Sequence, residues 1–107
     1  MVLKDILREE LRNSLQMKKR YESELRKLPR GSLIKRKIKG KEYFYQVDRK
    51  DGKFMAVYKG RAADIPGKDV KKWQEIKEKR VKYRKAISQL KKQINFLNRA
   101  LRARDAV

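Results

Sequence analysis

The sequence predicts an α+β fold, an antiparallel two-helix coiled-coil hairpin with a small three-stranded antiparallel β-meander inserted at its tip. Three observations lead there. Two long stretches repeat apolar residues at alternating spacings of three and four, the segment between them is strand-like, and turn residues fall where such a layout needs them.

The first stretch runs from about Leu3 to Leu28, with Leu7, Leu11, Ser14, Lys18, Tyr21, Leu25 and Leu28 along one seam. Pro29 disfavours helical geometry at Leu28 and ends the helix, and Gly31 and Ser32 supply a turn. The meander is expected over residues 33–60. Its strands are Leu33–Ile38, Glu42–Val47 and Phe54–Tyr58, joined at Lys39-Gly40 and at Asp48–Gly52. Period-two alternation puts Ile34, Ile38, Tyr43, Tyr45, Val47, Phe54, Ala56 and Tyr58 on one face, and Leu33, Lys35, Lys37, Phe44, Gln46, Met55 and Val57 on the other. The first face is the more apolar, so Tyr43 and Tyr45 are expected in a small core joining sheet to helices.

After a connector containing Pro66, a helix over residues 67–104 carries Trp73, Ile76, Arg80, Tyr83, Ile87, Leu90, Ile94, Leu97, Leu101 and Arg104 on its seam, with Asp64 or Asp69 near its positive end. At the standard rise it is roughly 55 Å long, and the three parts form a single elongated domain over 1–107. Folding the first helix back on the second, the best match pairs Leu25 with Trp73, Tyr21 with Ile76, Lys18 with Arg80, Ser14 with Tyr83, Leu11 with Ile87 and Leu7 with Leu90. This register puts the two charged seam residues in one layer, where their stems cover apolar surface and Glu22 or Glu78 can pair with them. It also leaves Ile94, Phe96, Leu97 and Leu101 as an unpartnered overhang, an interface for a protein partner or a homodimer.

Charge is the strongest functional signal. Lysine and arginine total 33 against 13 acids, a net +20. The excess grows along the chain, from +3 over residues 1–28 to +7 over 29–67 and +10 over 68–107, and no acid lies between Glu78 and Asp105. Such a balance favours polyanions. With no cysteine and no histidine, thiolate and imidazole metal sites are excluded, and neither a phosphate-binding glycine loop nor a paired-carboxylate constellation is present. No cofactor, metal or catalytic residue is expected, and the chain is not read as an enzyme. No apolar run suffices to cross a membrane, and the charged N-terminal residues lack a signal-peptide core, so a cytoplasmic location is expected.

The expected function is that of a noncatalytic nucleic-acid-binding accessory protein. Its phosphate contacts would come from a basic sheet (Lys35, Arg36, Lys37, Lys39, Lys41) and a basic helix (Lys82, Lys85, Lys91, Lys92, Arg99). DNA and RNA, and single and double strands, stay open. The alternative is a coiled-coil interaction module that docks through Ile94, Phe96, Leu97 and Leu101 on a larger protein or nucleoprotein as a modulator or inhibitor.

The strings Leu28-Pro29-Arg30-Gly31-Ser32-Leu33, Ile38-Lys39-Gly40-Lys41-Glu42-Tyr43-Phe44-Tyr45, Asp51-Gly52-Lys53 and Tyr58-Lys59-Gly60 cover about a third of the chain. They resemble a family of small uncharacterised prokaryotic and mobile-element proteins that share an LPxGSL turn, a KGKEYYY-like strand and a YxG, flanked by charged helices. The resemblance implies the same order of helix, hairpin and helix and brings no activity with it.

Overall fold

The computed structural model describes residues 2–105. Helix α1 spans Val2–Lys27, strands β1, β2 and β3 span Ser32–Ile38, Lys41–Lys50 and Lys53–Arg61, a 3-10 turn follows at Ala62–Asp64, and helix α2 spans Gly67–Asp105. The two helices pack closely and the sheet lies between them in the chain, an α+β layout. The chain divides into two compact units, one of Met1–Lys27 with Arg80–Val107 and the other of Leu28–Lys79.

In the helical unit, the seams expected from the sequence are the buried ones. On α1, Leu7, Leu11, Lys18, Tyr21 and Leu25 are half-buried and Ser14 is 2% exposed. On α2, Ile87, Leu90, Ile94 and Leu97 are buried, with Arg80, Tyr83 and Leu101 half-buried beside them, while Arg104 is exposed. The register differs from the expected one. Tyr21 meets Tyr83 with ring centroids 5.9 Å apart, and Gln93 Nε2 donates a 3.0 Å hydrogen bond to Ser14 Oγ. The helices are therefore antiparallel, but α1 lies about one heptad further along α2 than the matching of Lys18 with Arg80 suggests. A seven-residue slip preserves every seam position, so periodicity does not forbid it. Burial decides. The slip covers Ile94 and Leu97, at about 1.5–3 kcal/mol each, whereas matching Lys18 with Arg80 would set two like charges in one layer, which repel.

In the sheet unit, β2 is central and both its neighbours are antiparallel to it. Each connection is a two-residue loop with positive φ at both positions, Lys39 (50°) with Gly40 (80°) and Asp51 (54°) with Gly52 (76°). Such loops match the twist of the strands they join and let pairing run up to the turn. This explains why β2 reaches Lys50 and β3 begins at Lys53, where the composition suggested a longer turn. β1 pairs with β2 without interruption from Ser32 opposite Val47 to Ile38 opposite Lys41. Between β2 and β3 the register shifts: Phe44 faces Gly60 while Tyr45 faces Tyr58, leaving Lys59 as an extra residue.

Phe44, Val47 and Ile76 are the buried apolar residues of this unit, and Trp73 is half-buried. The 3-10 turn packs on β2, and a methyl at Gly60 would stand 3.6 Å from Ile65 Cδ1, so the chain after β3 closes over the Phe44 side. α2 then starts where the Pro66 carbonyl accepts hydrogen bonds from the amides of Asp69 and Val70, with Asp69 in the first turn.

Candidate nucleic-acid interface

Cross-strand pairing sorts the sheet side chains into two faces with different chemistry. Ser32, Ile34, Arg36 and Ile38 of β1 share a face with Lys41, Tyr43, Tyr45, Val47 and Arg49 of β2 and with Phe54, Ala56, Tyr58 and Arg61 of β3. The other face carries Leu33, Lys35, Lys37, Glu42, Phe44, Gln46, Asp48, Lys50, Lys53, Met55 and Val57. Both strand acids, Glu42 and Asp48, fall on this second face, and all its cations are lysines. The first face has no acid, and three of its four cations are arginines.

On the acid-free face three rings form one cluster. Tyr58 lies 6.0 Å from Tyr43 and 5.7 Å from Tyr45, with interplanar angles of 50° and 67°. The Arg36 guanidinium sits 5.8 Å from the Tyr45 ring centroid, within cation–π range. Tyr43 and Tyr45 are half-buried, while Tyr58 is 55% and Phe54 60% exposed. The face expected to be the core is thus open over much of its area, although Val47, two residues beyond Tyr45, is buried. The buried aromatic of the sheet is Phe44, at 8% exposed, on the side expected to be the polar one.

The nominated sheet cations divide accordingly. Arg36 and Lys41 stand on the aromatic face, Lys35 and Lys37 on the opposite one, and Lys39 in the turn. Lys35 is engaged by Glu42 at 3.4 Å. Arg49, Arg61 and Tyr58 also belong to the aromatic face, beyond the binding residues the sequence points to. The Arg49 carbonyl is held by Arg30 Nη2 at 3.3 Å and its amide donates to Asp48 Oδ1 at 2.7 Å. Arg49 follows from alternation, but Arg61 does not: it reaches this face only because Lys59 is extra.

In the helical unit, Lys82, Lys85, Lys91, Lys92 and Arg99 are all exposed. Lys85, Lys92 and Arg99 recur every seven residues and form one row, about 10.5 Å apart along α2. Arg99 also donates from Nε to the Asn95 carbonyl. Lys91 is placed differently. It lines a shallow open cleft with Glu22, Leu25, Arg84, Ile87 and Ser88. Glu22 Oε1 accepts from Lys18 Nζ at 2.7 Å. That hydrogen bond holds the Glu22 carboxyl below its ordinary range, helped by the charges of Lys18, Arg26 and Lys91 and opposed by partial desolvation. Lys18 is therefore answered by an acid on its own helix.

The expected apolar overhang needs correction. Ile94 and Leu97 are only 8% and 5% exposed, and Leu101 is half-buried. Only Phe96, at 62% exposed, stands out in solvent as expected. The slipped register uses these residues inside the helical unit instead of leaving them for a partner.

Among the described residues no cluster of metal-ligating side chains occurs, and no helix is long and apolar enough to cross a membrane. Compared with protein-family models, curated proteins and solved structures, the chain matches none of them.

Proposed function

We propose that this protein is a noncatalytic nucleic-acid-binding accessory protein that holds phosphate backbones through its basic sheet and the cation row of α2. One observation carries the reading: all ten of these cations are exposed, and of the ten Lys35 is the one that lies within ion-pair distance of an acid among the described residues. Exposed cations that are mostly without acid partners are open to an incoming polyanion, and the counterions released from the phosphates on binding drive association. The protein-docking alternative draws less support, because Ile94 and Leu97 are occupied.

Binding of short duplexes and single strands, followed by fluorescence anisotropy across a salt series, tests this. Affinity is expected at low salt and falls linearly on a log–log plot as salt rises. Lys85→Glu combined with Lys92→Glu should flatten that slope by roughly two phosphate contacts. Absence of binding at low salt, or binding indifferent to salt, refutes the proposal.

A further inference from the structure

Backbone contact alone does not explain how the sheet sorts its residues. A surface that only gripped phosphates would need cations, and lysines on either face would serve. Instead the arginines Arg36, Arg49 and Arg61 share a face with Tyr43, Tyr45, Tyr58 and Phe54, while the acids lie on the opposite side. Exposing tyrosine and phenylalanine to water is unfavourable, so a face that leaves Tyr58 55% and Phe54 60% exposed invites a partner with flat apolar surface. The surrounding positive charge requires that partner to be anionic. Unpaired nucleobases on a phosphate strand meet both demands, whereas a duplex hides its base planes in its own stack.

We infer that the face built from Arg36, Tyr43, Tyr45 and Tyr58 binds single-stranded nucleic acid by stacking unpaired bases on its rings. The inference rests on the proposed function and names the strand state that this site takes. The ring geometry suits it. Tyr45 and Tyr58 meet edge to face at 67° and Tyr43 and Tyr58 are tilted at 50°, so the rings do not cover one another by flat stacking. Arg36, already over Tyr45 at 5.8 Å, supplies a second planar surface and a charge for the adjoining phosphate. Lys41, Arg49 and Arg61 on the same face are exposed and suited to follow the backbone on either side.

The test compares a short oligothymidylate with an abasic strand of the same length, which has the same phosphates and no bases. The oligothymidylate is expected to bind roughly ten- to a hundred-fold more tightly. Tyr58→Ala should remove about ten-fold of that advantage and leave abasic affinity unchanged, and Tyr58→Phe, which keeps the ring, should restore it. Arg36→Lys keeps the charge and loses the plane, so it should weaken the oligothymidylate more than the abasic strand. Equal affinity for the two strands overturns stacking and leaves phosphate binding intact. Failure of both strands to bind at low salt removes the underlying function as well. Circular dichroism of each variant separates a lost site from a lost fold, and loss of preference in a folded Tyr58→Phe protein also counts against the inference.

Discussion

Tyrosines cluster twice in this molecule, at nearly the same ring separation and in opposite settings. Tyr21 and Tyr83 meet at 5.9 Å within the helical seam, both half-buried, beside the Ser14–Gln93 hydrogen bond. Tyr43, Tyr45 and Tyr58 meet at 5.7–6.0 Å on a sheet face whose outermost ring is over half exposed. Ring contact is common to both, so it does not distinguish a packing device from a recognition surface. The surroundings do. The helical pair lies in a row with Ile87, Leu90 and Ile94, whereas the sheet cluster is ringed by arginines and has no acid on its face. A half-buried pair gains its energy on folding, and an open cluster retains area to gain on binding.

The contrast can be broken most directly in the apolar seam of α2. Leu97→Ala should destabilise the protein by about 2–5 kcal/mol, read as a fall in urea midpoint, because the side chain is 5% exposed. A free overhang would lose almost nothing. Next, Tyr83→Ala should cost about 2–3 kcal/mol, while Tyr58→Ala should stay within about 1 kcal/mol, since the second ring is largely in water already. Equal losses would erase the distinction between the clusters. Ser14→Leu probes the most buried residue of the seam: with Ser14 2% exposed, the added methylenes should cost about 1–3 kcal/mol by overpacking, read as a fall in urea midpoint.

The smallest effect concerns Glu22. Its folded carboxyl titrates below the ordinary glutamate value of 4.5, so its pairing contributes in full above that value and is lost as pH falls through the depressed folded one. Glu22→Gln should therefore lower stability slightly at neutral pH and match the parent in strong acid, measured as denaturation midpoints at the two pH values. The opposite trend would show that the Lys18 pair does not act on folding.

Much of this architecture is written in residue spacing. Every seam residue expected on α1 from Leu7 to Leu25 is half-buried or buried, and so is every one on α2 from Trp73 to Leu101. The assignment of Ile34, Tyr43, Tyr45 and Tyr58 to one face and of Phe44 and Val57 to the other agrees with the observed pairing. What spacing does not contain is which repeat meets which. Heptads look alike after a shift of seven, and the choice fell to the apolar residues at the far end of α2. Nor does alternation say which sheet face is covered. Counting apolar residues favours the tyrosine side, yet the chain after Gly60 returns over Phe44. Of the residues now placed with the tyrosines, Arg49 was accessible to alternation, and Arg61 was hidden by an irregularity that composition does not announce.

That irregularity bears on how such a protein can change. The extra Lys59 resets the parity of β3, so Gly60 faces the Phe44 side and Arg61 the tyrosine side. Deleting that one codon would leave Tyr58, Gly60 and Arg61 in strict alternation, with Arg61 still opposite Tyr43, so the strand would lose a lysine and keep its terminal guanidinium on the tyrosine side. A residue can therefore be gained or lost at this edge without moving the arginine off its face.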